Sequence, residues 1–134
     1  MADPKTNVVR TAAAADLSLP ALAGGEWEVV RIAVPLGLDV VARCHRRGIA
    51  LGPVWITPAR STVEIVAVPG TAGIWPGVPG TTCAKVNLAV GRRWIHPPTE
   101  GRPAATDAYL LAEVVTDALV RLALTRLSRK AVRA

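Results

Sequence analysis

The sequence predicts an α+β domain in which a largely antiparallel sheet of about five strands carries two helices on one face. Short segments rich in Val and Ile alternate with Gly- and Pro-containing turns through the middle of the chain, a pattern typical of strands. Two other segments place apolar residues at helical spacing, one after the first strand and one at the end of the chain. The resulting order, β-α-β-β-β-β-α, favours two helices packed on one side of a sheet.

Four stretches supply the five predicted strands. The first is "EWEVVRIAVP" (26–35), and the next two are "GPVWIT" and "TVEIVAVPG", separated by the turn "PARS". The stretch "AKVNLAVGRRWIHPP" (84–98) predicts a fourth and a fifth strand joined tightly around Val90 and Gly91. Two prolines, Pro97 and Pro98, then end the fifth strand.

Both helices are predicted from their apolar faces. In "GLDVVARCHRRG" the face is formed by Val40, Val41 and Cys44 after Leu36, and Gly48 stands where a helix C-cap glycine belongs. From Thr106 onward the sequence predicts a long amphipathic helix, the C-terminal helix of the fold. Its apolar stripe is Leu111, Val114, Val115, Ala118 and Leu122.

Length and composition indicate one domain, residues 25–134, after a flexible tail, residues 1–24. No apolar run is long enough for a membrane span, and Asp16 and Pro20 interrupt the only N-terminal stretch resembling a signal peptide. Two cysteines are too few for a disulfide scaffold, so we expect reduced thiols and a cytoplasmic protein. The 51% apolar content and mean hydropathy of +0.33 favour a homodimer, because an interface between two copies would bury the excess apolar surface.

The loop "VAVPGTAGIWPGVPGTTC" (66–83) is the main candidate for a phosphate-binding loop. A Walker-type loop requires a lysine before its hydroxyl residue, and none precedes Thr81 or Thr82. The glycine spacing does not fit a dinucleotide fingerprint either, and a strand rather than a helix is predicted to follow. We therefore predict a stiff turn in which Trp75 plugs the edge of the core, with base stacking or partner binding as its alternative roles.

Two sets of residues are candidates for catalysis or metal binding. Glu26 and Glu28, with Glu64, would suit a divalent cation, but strand alternation favours solvent-facing glutamates. A second set, for zinc or for a Cys83–His96 catalytic pair, is Cys44, His45, Cys83 and His96, and it lacks the spacing of a zinc motif. The sequence therefore favours a nonenzymatic protein with no catalytic residues, no metal and no cofactor.

Basic residues give the first functional hypothesis. A net charge of +6 and a pI near 10.4 favour polyanionic partners. We expect an accessory or regulatory domain that is DNA-binding, or contacts nucleic acid more generally, through basic patches. The predicted contact residues are Arg43, Arg46, Arg47, Arg92, Arg93, Trp94, Arg126, Arg129 and Lys130.

The alternative hypothesis is a protein-interaction module without a nucleic-acid role. It would form a homodimer or join a larger complex through aromatic and apolar side chains. The predicted interaction residues are Trp55, Trp75, Leu111, Val115 and Leu122.

The second half of the chain, about residues 52–123, also resembles a set of small actinomycete proteins of unassigned role. The shared landmarks are "GPV", a strand ending "VPGTAGIW", then "GT", "GRRWIHPP" and "TDAYLLAEVVTDAL". Some of those relatives have been labelled primase/polymerase N-terminal domains, whose small α/β core binds nucleotides on a sheet. Such domains need a D-x-D or D-x-E metal motif, whereas "STVEIVAVPG" has Glu64 alone, so the resemblance implies a noncatalytic relative.

Overall fold

A computed structural model describes residues 27–86, 91–98 and 101–133 of the chain, so the expected tail (1–24) lies outside the described residues. The predicted fold class is confirmed, because a five-stranded antiparallel sheet is combined with two α-helices in the predicted order. The elements are β1 (Glu28–Ala33), α1 (Val34–Arg46), β2 (Val54–Thr57), β3 (Thr62–Ala67), a 3₁₀ helix (Ala72–Gly77), β4 (Thr81–Lys85), β5 (Arg93–His96) and α2 (Ala108–Arg133).

The strands follow one another across the sheet in the order β4-β1-β3-β2-β5. The predicted tight connection between the fourth and fifth strands is therefore wrong, because β4 and β5 lie at opposite edges. β4 pairs with β1, and β5 pairs with β2. The reason is that β3 occupies one side of β1 and leaves the other side to β4, so the next strand must use the free edge of β2.

The main core lies between the sheet and the two helices. Val30 and Ile65, which face each other on β1 and β3, meet Val40 of α1 and Leu111 of α2 in one buried cluster. On the other sheet face a smaller cluster is formed by Val29, Trp55 and Val66, against which Trp94 and several neighbours pack. Both α-helices thus cover the same face, as predicted.

The end of α1 is fixed by its glycine. Gly48 has φ of +70°, a left-handed conformation that glycine adopts without steric cost. The backbone N–H of Gly48 donates to the carbonyl of His45, and that of Ile49 donates to the carbonyl of Cys44. These two hydrogen bonds form the Schellman motif that satisfies the last carbonyls of a helix, which confirms the predicted C-cap.

The start of α2 differs from the prediction by two residues. The helix begins at Ala108, and the carboxylate of Asp107 caps it by accepting hydrogen bonds from the backbone N–H groups of Tyr109 and Leu110 at 2.9 and 3.0 Å. Thr106 instead forms a parallel bridge with Ala67 at the end of β3. Its hydroxyl also accepts a hydrogen bond from the N–H of Gly52, so Thr106 belongs to the sheet margin rather than to the helix.

The second half of α2 leaves the core. The predicted stripe is buried from Leu111 to Ala118, whereas the side chain of Leu122 is 38% exposed. Every residue from Val120 to Ala131 is exposed. None of the helices in the described ranges is long and apolar enough to cross a membrane.

The Gly/Pro loop contains the 3₁₀ helix, which holds Trp75 in the main core at 1% exposure. The hydroxyl of Thr81 donates to the carbonyl of Val78, which fixes the exit of the loop. A strand, β4, follows directly. The loop that connects β3 to β4 therefore places the side chain of Trp75 in the core, as the sequence predicted.

Candidate nucleic-acid interface

The packing of α1 against α2 brings basic residues from both helices to one groove, here called the α1–α2 groove. Its volume is about 400 Å³. The groove is lined by Pro35, Leu36, Asp39, Arg43, Ala118, Arg121, Leu122, Thr125, Arg126 and Arg129. Three of the predicted nucleic-acid contacts, Arg43, Arg126 and Arg129, therefore meet in it.

Helical periodicity explains why these arginines face α1. Arg126 and Arg129 stand four and seven residues after Leu122, so they continue the face that carries Leu122 and, earlier, Ala118. Where α2 passes the edge of the core, that face changes from apolar to basic. The groove thus has an apolar floor near the core and an arginine wall beyond it.

The charge of the groove is strongly positive. Among the described lining residues there are four guanidinium groups, and Asp39 is the single carboxylate. That carboxylate accepts a 2.9 Å hydrogen bond from Nε of Arg43, one turn away on α1. The arginines of α2 are left as a cationic wall.

Arg46 is the last residue of α1, and Arg47 is its C-cap residue. Arg47 donates to the carboxylate of Asp117 on α2, which ties the two helices together. Arg46 is exposed. Lys130 lies further along α2, at a shallow depression of about 590 Å³ that it shares with Ala123, Arg126, Leu127 and Arg129.

The remaining predicted contacts, Arg92, Arg93 and Trp94, lie at β5, apart from the groove. Trp94 pairs across the strands with Trp55 on the face opposite the helices, with ring centroids 5.3 Å apart and nearly perpendicular rings. The guanidinium of Arg92 lies 5.2 Å from the Trp55 ring centre, a cation–π contact. Arg93 is exposed on the edge strand, so the structure separates the predicted residues into two surfaces.

Glu64 anchors a charge network on the same sheet face as Trp55, its neighbour on β2. Its side chain is only 2% exposed, and its carboxylate lies 3.4 Å from Nε of Arg31 and 3.5 Å from Nη1 of Arg60. The hydroxyl of Thr62 also donates to it. Burial lowers the pKa of Arg92, and the negative charge of Glu64 opposes that shift.

Sequence reasoning did not identify Arg31, Arg60 or Arg121 as site residues. Arg31 and Glu64 are charges of opposite sign inside otherwise apolar strands, and that pattern is the signal that could have paired them. Arg121 could have been found from its membership of the same basic helix segment as Arg126.

The acidic metal hypothesis is not supported by the strand register. Glu28 pairs with Ala67, whereas Glu64 pairs with Arg31, so Glu28 and Glu64 project from opposite faces of the sheet. Glu28 accepts hydrogen bonds from the backbone N–H of Gly70 and from the thiol of Cys83. Glu26 lies outside the described residues.

The cysteines and histidines that were candidates for zinc binding or catalysis do not form one site either. Cys83 and His96 sit on opposite edge strands, four strand spacings or roughly 19 Å apart, which separates the considered catalytic pair. His45 and His96 do meet, with their Nε2 atoms 2.8 Å apart, and burial together with the positive charge of Arg102 lowers the pKa of His96. Cys44 is a free thiol in the core, where burial raises its pKa to about 11. Within the described ranges no three His, Cys, Asp or Glu side chains are grouped so that they would hold a metal ion.

The residues predicted for protein interaction lie mostly inside the fold. Trp75, Leu111 and Val115 belong to the main core, and Trp55 belongs to the smaller cluster on the other face. Leu122 alone among them is part of the surface. Four of the five side chains therefore stabilise this chain itself.

Comparison of the chain with protein-family models, with curated proteins and with solved structures returned no match.

Proposed function

We propose that this protein is a nonenzymatic accessory or regulatory domain that contacts the phosphate backbone of nucleic acid through the α1–α2 groove. The observation that carries the proposal is the convergence of Arg43, Arg121, Arg126 and Arg129 on one groove, where the single carboxylate of the described lining is already paired. Guanidinium groups bind phosphate oxygens in a bidentate manner, which makes arginine suited to this contact.

The chemistry of the groove favours binding that does not depend on base sequence. Adenine is read by bidentate contacts from Asn or Gln, and neither residue type is among the described lining residues. Thr125 is the only hydroxyl residue in that described set. Electrostatic contacts of this kind position a protein on the backbone without specifying a sequence.

The dispersal of the candidate catalytic residues supports a noncatalytic role. Glu28 and Glu64 project from opposite sheet faces, and Cys83 and His96 lie on opposite edges. The hydrogen bonds and ion pairs of these side chains link parts of the fold to one another.

The test is fluorescence anisotropy with two labelled duplexes of the same length and unrelated sequence. We expect the two affinities to agree within about threefold, and each to fall at least about tenfold between 50 and 200 mM salt. The double variant Arg126→Gln/Arg129→Gln should weaken binding of both duplexes and lower the salt slope by about two.

The matched control is Lys85→Gln/Arg93→Gln, which removes two positive charges from exposed positions on β4 and β5. It should leave most of the affinity. Equal losses in the two double variants would contradict a localised site, and an absence of binding at 50 mM salt would contradict the proposed function.

A further inference from the structure

The outer face of the second half of α2 carries an apolar stripe. It consists of Val120, Leu124, Leu127 and Ala131, and we call it the outer stripe. The first three side chains are 52%, 53% and 62% exposed, and Ala131 is exposed as well. Their spacing of four, three and four residues is that of a helix–helix seam.

The outer stripe points away from the α1–α2 groove. At 100° per residue, Leu124 and Leu127 lie on the side of α2 opposite Leu122 and Arg129. A partner on the outer stripe would therefore leave the groove accessible. Contacts through the outer stripe would not require nucleic-acid binding.

The charges of α2 are arranged so that the helix complements a reversed copy of itself. Asp107 caps the helix, and Glu113 and Asp117 lie in its first part, whereas the part from Ala118 to Arg133 contains basic residues and no acidic ones. A parallel pair of such helices would place the two basic halves side by side. An antiparallel pair that sets Val120 of one copy opposite Leu124 of the other is centred near Leu122, and it brings Glu113 within one residue of the position opposite Lys130.

We propose that the outer stripe is the interface of a homodimer in which two α2 helices pack antiparallel. The Leu124 and Leu127 side chains of each copy pack between the helices, and Glu113–Lys130 pairs flank them at both ends. Antiparallel alignment also sets the two helix dipoles in opposition, which favours this orientation over the parallel one.

The test is the mass in solution by light scattering at about 0.15 M salt, where surface charge pairs still act. At a concentration near 100 µM we expect a weight-average mass about 1.8 times the monomer mass of 14.0 kDa, which corresponds to a dissociation constant on the order of 10 µM. Leu124→Glu places a charge in the seam and should raise that constant at least about tenfold. Leu38→Glu is the matched control, since Leu38 is an exposed leucine of α1 outside the outer stripe, and this variant should dimerise as the parent does.

A charge swap tests the orientation. Glu113→Lys and Lys130→Glu should each weaken the dimer, and the two changes together should restore it, because the opposing pairs re-form with reversed sign. Failure of the double variant to recover would overturn the antiparallel arrangement. A monomer at 100 µM would overturn the proposal as a whole, and binding of that monomer to anionic vesicles would identify a lipid surface as the occupant.

Discussion

The side chain of Glu64 is the most deeply buried acidic or basic group among the described residues, and its neighbours replace the hydration that it loses on burial. Removing a carboxylate from water is costly unless opposite charges and hydrogen bonds replace the lost hydration. Arg31, Arg60 and Thr62 supply that replacement. Because the two arginines are partly exposed, they retain some hydration of their own, so Glu64 depends on them more than they depend on it.

Glu64→Gln should lower the free energy of unfolding by about 2–3 kcal/mol, since it removes the charge but leaves two guanidinium groups beside a buried amide. Urea denaturation at low protein concentration measures the change. Asp39→Asn is the control, because it breaks a partly exposed ion pair one helical turn in span and should cost no more than about 0.5 kcal/mol. If both variants lost the same free energy of unfolding, the ion pairs around Glu64 would stabilise the protein no more than a partly exposed ion pair does.

Single residues were predictable where a local rule governs them. Glycine preference at helix C-caps predicted the position of Gly48 at the end of α1, and the proline-rich loop predicted that Trp75 packs into the core. Both predictions are confirmed. Glu64 was seen as a lone acid in a strand, and its partner Arg31 is 33 residues away. No periodicity within one strand specifies such a pairing, because the register between strands decides it.

At the scale of elements, the contact between α1 and β3 depends on a residue without a side chain. A Cβ atom built on Gly37 would lie 2.6 Å from Cβ of Val63, closer than real side-chain contacts. Glycine is unfavourable inside a helix by about 1 kcal/mol relative to alanine. Here that cost is offset because α1 comes close enough to bury Val40 and Cys44 against the sheet.

Gly37→Ala should therefore destabilise the protein by about 1–3 kcal/mol, although helix propensity alone predicts a gain. Thermal and urea unfolding report the sign directly. Gly73→Ala is the matched change, as no atom lies within 4 Å of its added Cβ, and its effect should be within about 0.5 kcal/mol. A stabilised Gly37→Ala variant would mean that α1 can move away from β3 at little cost.

The elements themselves were largely predictable, and their partners were not. The hairpin of β2 and β3 and the two helices follow from turn residues and apolar periodicity. We assumed that strands adjacent in sequence pair in the sheet. This is wrong for β4 and β5, because β4 instead pairs with the edge of β1 that β3 leaves free. The amphipathic pattern predicted a helix from Thr106 onward, whereas a parallel bridge with Ala67 places Thr106 at the margin of the sheet.

At the scale of the whole molecule, α2 performs two separable tasks. Its first half contributes buried side chains, among them Leu111, Val114 and Val115, to the main core. Its second half, beyond Leu119, contributes an arginine wall on one side and the outer stripe on the other. The sequence predicted the basic residues individually. It could not predict that those of α1 and α2 share a groove, since that depends on how the helices cross.

Truncation after Leu122 separates these tasks, because it removes the exposed half of α2 and leaves every buried residue of the helix in place. We expect the unfolding free energy, measured by urea at concentrations below dimer formation, to change by less than about 1 kcal/mol. Duplex affinity and dimer mass should both be lost, since Arg126, Arg129, Leu124 and Leu127 are removed together. A truncated chain that unfolds would show that the second half of α2 supports the core, and one that binds duplex as tightly as the parent would contradict a contact through Arg126 and Arg129.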